Sequence, residues 1–275
     1  MSAQASTMVE DPWAAVGPRR LSPSRAKDFQ QCPRMYRWKT VDRLPDPATW
    51  AQARGVLVHA VLERLYGLPA DERVEETALG LAPQTWTAVL AEHPEYVERF
   101  PEWGLTVDEV HEQARALLSR YFTVEDPTTL GTPSTEQDVH AHIGGVPVRG
   151  IIDRVDVAPD GRVRIVDYKT GKAPGPRFRH EALWQLRFYA MLWLSTTGVT
   201  PTALRLVYLG GDAPEIVETT VTRADAAAFV QDVQALWAEI NHAFDAASFP
   251  ARTGTLCGWC PFLSLCPEGR AAAAR

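Results

Sequence analysis

Apolar positions along this chain follow two rhythms, and the change falls near residue 136. Upstream the spacing is helical. Ser22-Pro23 opens a helix, because serine accepts from free N–H groups and proline fits the first turn. Leu21, Phe29, Met35, Tyr36 and Trp38 supply apolar anchors there, with a break near Cys32-Pro33. A second helix is expected over 55–65, with Val58, Leu62 and Leu65 on one face, and residues 71–122 read as mostly helical and acidic. Downstream, 136–143, 146–157 and 162–168 alternate or run β-branched, separated by Gly144-Gly145 and Pro159-Asp160-Gly161. That pattern predicts an antiparallel meander. A helix at about 181–197 follows, then strands near 203–209 and 215–221 on either side of Gly210-Gly211. The final helix, at about 225–247, sets Phe229, Val233, Leu236, Ile240 and Phe244 at helical spacing. The economical packing of such a series is an α/β fold, a small mixed central sheet flanked by helices.

The chain has 275 residues, 45% of them hydrophobic, enough for one large domain or two small ones. No run of 18 apolar residues suggests a membrane span. The opening MSAQASTMVEDPWAAVGP has neither a basic start nor an apolar core, so a cytoplasmic location is expected. The net charge of −6 argues against a nucleic-acid partner until its distribution is considered. Residues 19–39 hold seven Arg or Lys against Asp28, and residues 161–187 hold seven against Asp167 and Glu181. Residues 71–112 hold eleven acids and two arginines. Such blocks are either solvated faces of opposite sign or two phosphate-gripping segments beside an acidic outer face.

The most informative stretch is Gly150-Ile-Ile-Asp153-Arg154-Val-Asp156, then a turn, then Ile165-Val-Asp167-Tyr168-Lys169-Thr170-Gly171-Lys172. Asp167 and Lys169 are two apart on a strand and point to the same side. Alone, that pair reads as an exposed ion pair, which is common and worth little. Asp153 changes the reading: it ends another apolar strand run, and a hairpin lets it converge on Asp167. Two such carboxylates suit Mg²⁺, which keeps waters and completes its shell with substrate phosphate. Lys169 is then placed to orient or activate an attacking water, as in metal-assisted phosphodiester hydrolysis.

These residues resemble the PD-(D/E)XK nuclease superfamily. Asp153 matches the first acid, and Asp167-Tyr168-Lys169 matches the (D/E)XK element. The wording around them is similar to the RecB-like exonuclease branch. Gly55-Val-Leu-Val-His59 resembles that branch's upstream G-x-x-x-H helix, and Gln185-Leu-Arg-Phe-Tyr189 its downstream Q-x-x-x-Y helix. The resemblance implies a restriction-endonuclease-like core and a catalytic set of Asp153, Asp167, Lys169, Gln185 and Tyr189. It implies Mg²⁺ or Mn²⁺ held by His59, Asp153, Asp167 and the Tyr168 carbonyl. Without that context, His59 reads as a satisfied histidine, and Gln185 and Tyr189 as ordinary packing partners. Glu136 stays outside the core set, and Asp156 reads as a strand-end charge.

Cys257-x₂-Cys260-x₅-Cys266 has ligand spacing, and Cys32 is the remaining cysteine. By spacing alone, free thiols, zinc and a [4Fe–4S] cluster all stay open. The AddB and CRISPR-associated members of the RecB-like group carry one such cysteine before the nuclease motifs and three after. The resemblance therefore implies an iron–sulfur cluster on Cys32, Cys257, Cys260 and Cys266, with zinc as the lesser alternative, joining the two ends of the chain. The expected organisation is a flexible leader over 1–18 and one nuclease domain over 19–270. That domain has a helical insertion at about 71–122 and a cluster-binding segment at 250–268, and a flexible tail follows over 271–275.

Arg34, Arg37, Arg177 and Arg179 are candidates for phosphate contact, where Arg binds two oxygens at once; the plainer reading is exposed surface charge. No helix-turn-helix or zinc-finger signature is present, so base-specific reading is not expected and binding should weaken with salt. By resemblance the substrate is DNA, single-stranded or with free ends, and the function a metal-dependent exonuclease of repair or recombination. The helicase motif G-x-x-x-x-G-K-S/T is absent, so unwinding would need a helicase partner. The alternative is a catalytically inactive iron–sulfur or zinc DNA-binding scaffold that partners a helicase.

Overall fold

The computed structural model describes residues 20–175 and 179–275. The expected leader over 1–18 and the candidate Arg177 lie outside the described residues. The helices are α1 (Pro23–Gln31), α2 (Pro33–Tyr36), α3 (Trp50–Tyr66), α4 (Glu75–Glu92), α5 (Pro94–Trp103), α6 (Val107–Phe122), α7 (Arg179–Thr197), α8 (Arg223–Asp245) and α9 (Pro267–Ala273). The strands are β1 (Ser134–Ile143), β2 (Val146–Val157), β3 (Val163–Lys169), β4 (Ala203–Tyr208) and β5 (Glu215–Thr219). They form one sheet in the order β1-β2-β3-β4-β5. β2 and β3 are antiparallel, β3 and β4 parallel across the α7 crossover, and β4 and β5 antiparallel again. The mixed α/β sheet matches the expected class. Among the described residues, no helix is long and apolar enough to cross a membrane.

Where one domain over 19–270 was expected, the described chain packs as two compact units. The first comprises residues 20–46, His142–Val148 and Val230–Arg275; the second comprises Pro47–Ala141 and Arg149–Phe229. A linear pattern cannot show this division, because the chain crosses between units inside the β1–β2 hairpin and inside α8. The tail also differs from expectation. α9 runs to Ala273, through three of the residues read as flexible, because Pro267 starts it and the Cys266 sulfur caps the Gly269 N–H. Alanine, the best helix former, then carries it on.

In the first unit, Ser22 caps α1 as its sequence suggests, accepting from the Arg25 N–H. The Leu21 N–H donates to the Pro147 carbonyl in β2. Phe29 meets Tyr36 edge-on, Tyr36 stacks on Phe249, Phe249 meets Phe244 edge-on, and Trp38 meets Phe262 at a steep angle. The Gly144-Gly145 turn has φ of 58° and 85°, the left-handed pair a two-residue hairpin requires.

In the second unit, α3 starts in a capping box made by Thr49 and Gln52, and α6 in one made by Thr106 and Glu109. α3 packs on α4 and α6. Their apolar faces share one core with Val166, Tyr168, Val207 and Leu209 from the sheet. α7 packs along β3 and β4 and bears on β2 at one point. A Cβ on Gly150 would come within 2.7 Å of Leu192 and 3.0 Å of Tyr189, so only glycine lets α7 approach β2 this closely.

Candidate active site

Strand alternation builds the site. In the β2–β3 register Arg154 faces Val166, so the next step sets Asp153 opposite Asp167. Asp153, Asp167 and Lys169 share one side of the sheet, while Arg154, Val166 and Tyr168 occupy the other. The residues on which the sequence argument rested are therefore together, and all belong to the second unit.

Lys169 Nζ lies 2.6 Å from the Asp167 carboxylate and donates to Gln185 Oε1 at 2.9 Å. Gln185 Nε2 donates to Asp167 at 3.1 Å and to the Tyr189 hydroxyl at 2.8 Å. The i, i+4 pair on α7 thus reaches the acid and the lysine, as its spacing suggested. Burial works against the Lys169 ammonium, but the charges of Asp167 and Asp153 outweigh it and hold its pKa above the ordinary value. Lys169 is a cation here, suited to orienting a water and stabilising charge and unsuited to removing a proton. Burial, and then the nearby carboxylates, raise Tyr189, so its hydroxyl stays neutral.

On α3, His59 Nε2 lies 3.0 Å from the Tyr168 carbonyl. A carbonyl only accepts, so Nε2 carries a proton and Nδ1 is the nitrogen turned to the acids. Nδ1 faces Asp153 at 3.5 Å and Glu136 at 4.0 Å. Asp153 in turn accepts from the Tyr168 N–H at 2.8 Å. Burial, and then the charge of Asp167, push the Asp153 carboxyl up to about 7, and burial also raises Glu136. Two carboxyl groups and an imidazole nitrogen facing one another require a proton or a cation between them. Among the described residues, His59, Glu136 and Asp153 form the group of three whose ligand atoms lie within 4.8 Å of one another. Oxygen donors with one imidazole fit a hard divalent ion.

Glu136, which the sequence leaves open as a further site carboxylate or a surface charge, belongs to this group. Its φ of 45° is left-handed, uncommon for a non-glycine residue, and no apolar periodicity encodes it. The Tyr168 carbonyl meets the imidazole nitrogen opposite the carboxylates, and Asp167 turns to Lys169 and Gln185. Both still adjoin the group, the carbonyl 3.0 Å from His59 Nε2 and Asp167 across the β2–β3 register from Asp153.

Among the described residues, the three phosphate candidates pair with acids. Arg179 pairs with Glu215 at 2.5 Å, Arg37 with Asp42 at 3.2 Å, and Arg34 with Glu268 at 2.5 Å. Arg34 also approaches the Cys266 sulfur at 4.0 Å. It lines the cysteine cavity and must exchange partners before it grips a phosphate. Asp156 is paired with Arg154 and Arg164, in keeping with its reading as a structural charge.

The sequence profile of the PD-(D/E)XK nuclease superfamily matches residues 20–267. This chain belongs to the PD-(D/E)XK nuclease superfamily. The nuclease is 31% identical to the Gene 69 protein of Mycobacterium phage D29 over 201 residues, 65% of this chain and 70% of the phage protein. Its fold is similar to that of a candidate exonuclease from Eubacterium rectale, with a TM-score of 0.60, 15% identity, and coverage of 94% and 93% of the two chains. The solved SSO0001 aligns over 91% of this chain and 86% of its own at 14% identity, with a TM-score of 0.44, too low to bear on the fold.

In the first unit, Cys32, Cys257, Cys260 and Cys266 line one cavity of about 240 Å³. Backbone N–H groups turn toward their sulfurs, Gly269 to Cys266 at 3.2 Å, Gly254 to Cys257 and Arg252 to Cys32 at 3.4 Å.

Proposed function

We propose that this nuclease is a Mg²⁺- or Mn²⁺-dependent deoxyribonuclease of the RecB-like kind. On this reading it is an exonuclease acting on single-stranded or end-containing DNA in repair or recombination, with strand separation supplied by a helicase. The observation that carries the reading is the meeting of the His59, Glu136 and Asp153 group with the Asp167, Lys169, Gln185 and Tyr189 chain across the β2–β3 register. His59, Glu136 and Asp153, with Asp167 beside them, would hold the ion. When bound, such an ion polarises the scissile phosphate and makes a bound water more acidic. Lys169 orients the water and stabilises the charge that develops on the phosphate. Gln185 keeps Lys169 and Asp167 in register, and Tyr189 holds Gln185.

The same reading assigns a [4Fe–4S] cluster to the four cysteines, supported by their shared cavity, the amides beside their sulfurs and the one-before, three-after placement in the sequence. Its role is structural: it closes a very long loop and so removes entropy from the unfolded chain. The intact acid–lysine set weighs against the inactive-scaffold alternative.

The test is cleavage of end-labelled single-stranded DNA with Mg²⁺ or Mn²⁺, on substrates with free and blocked ends. Asp167→Ala should abolish cleavage, and undiminished cleavage by that variant would refute the site. Anaerobic purification should yield a brown protein with broad visible absorption; a colourless, zinc-containing protein would overturn the cluster.

A further inference from the structure

Behind the acid–lysine face, on the opposite side of the same two strands, lies a buried charge that the proposed mechanism does not use. Arg154 is fully buried. Its Nη1 lies within hydrogen-bond distance of the hydroxyls of Tyr66 at 2.5 Å, Tyr168 at 2.5 Å and Tyr121 at 3.1 Å, which share its two hydrogens with Glu125 at 2.8 Å. Nη2 also lies 2.8 Å from Glu125, and Nε pairs with Asp156 at 2.9 Å. It stands 4.8 Å from the Tyr66 ring centroid, within reach of the ring's π face. The Tyr66 and Tyr121 hydroxyls are bonded to each other.

Such a cluster is a poor choice for stability alone. A buried ion costs several kcal/mol to desolvate, and apolar residues of similar volume often do as well or better. What the cluster does offer is directional bonding between particular elements. Tyr66 stands on α3 two turns after His59, on the same side of the helix. Tyr168 is the residue whose N–H binds Asp153 and whose carbonyl meets His59. Arg154 itself follows Asp153. Each partner of the guanidinium on α3, β2 and β3 is thus coupled through its own backbone to a member of the His59–Glu136–Asp153 site.

We propose that Arg154 is a positioning residue, whose buried guanidinium ties α3 to β2 and β3 and so sets the spacing between His59 and Asp153 that a divalent ion needs. This rests on the metal-dependent reading of the site. Tyr66 and Tyr168 are the arms through which it acts. Outer partners that orient metal ligands typically change metal affinity by about 10–100-fold when removed.

The experiment measures Mn²⁺ affinity by electron paramagnetic resonance of the free ion, alongside thermal unfolding, on the full chain. Tyr168→Phe and Tyr66→Phe keep the rings and remove one hydroxyl each, so they should fold. Arg154→Lys keeps the charge and loses the planar fork. Val110→Ala, in the same buried core but outside the network, provides a stability-matched control. The Tyr168→Phe and Arg154→Lys proteins should bind Mn²⁺ roughly tenfold more weakly than wild type, with the KM for DNA unchanged, while Val110→Ala binds it normally. Unaltered Mn²⁺ affinity in Tyr168→Phe and Arg154→Lys would overturn the positioning role while leaving the nuclease reading intact, as would equal weakening in Val110→Ala. A wild-type protein that binds no Mn²⁺ would sink both together.

Discussion

Replacing Asp153 with Asn should stabilise the metal-free protein while removing its chemistry. Asp153 is 9% exposed, and burial followed by the charge of Asp167 lifts its carboxyl from 3.8 to about 7. In the unfolded chain the same group titrates near its ordinary value. A folded pKa above the unfolded one means that the group's contribution to stability is fully present below about pH 4. It is lost as pH rises through about 7. At about 1.4 kcal/mol for each tenfold change in proton affinity, ionising this carboxyl in the metal-free fold costs on the order of 4 kcal/mol by pH 8. Asn keeps an acceptor for the Tyr168 N–H and carries no charge. In EDTA, the stability difference between Asp153→Asn and wild type should therefore open by about 3 kcal/mol between pH 4.5 and pH 8, in favour of the variant. Urea titrations followed by fluorescence of the nine tryptophans measure it directly. Adding Mn²⁺ should reverse the order at pH 8, because an ion that binds only the folded state stabilises it. Parallel stability curves for the two proteins across this range would refute the picture of a strained, cation-seeking carboxylate.

Three further outcomes follow from the same geometry. Lys169→Met should reduce cleavage by about 10²–10³-fold while calorimetric Mn²⁺ affinity holds, since Lys169 contacts Asp167 and Gln185, outside the His59, Glu136 and Asp153 group. Glu136→Gln should weaken Mn²⁺ binding by roughly tenfold in the same titration; no change would return Glu136 to the role of a surface charge. Burial by itself would raise the Glu125 carboxyl, yet the hydrogen bonds and charge of Arg154 pull it down to about 2. Its stabilising contribution is thus present above about pH 4.5 and lost as pH falls through 2. Glu125→Gln should lose on the order of 3 kcal/mol at pH 7 and show a flatter acid limb in denaturation.

Much of this protein is written locally. Period-two alternation in 146–157 and 163–169 determines that Asp153, Asp167 and Lys169 share a face, whatever the rest of the chain does. Helical spacing does the same for Gln185 and Tyr189, and Ser22-Pro23 and Gly144-Gly145 mark their turns because capping and left-handed φ are properties of one or two residues. Tertiary structure decided what depends on distance in space. Glu136 joins the site only because an unusual backbone angle brings it beside His59, from 77 positions away. Which nitrogen of His59 faces the acids follows from a carbonyl on another element. Arg154, read in sequence as one letter between two acids, becomes the buried centre of a network because three tyrosines from α3, α6 and β3 converge on it. Periodicity encodes the direction of a side chain relative to its own strand or helix; the partner it meets depends on how elements pack, and packing is a property of the whole fold.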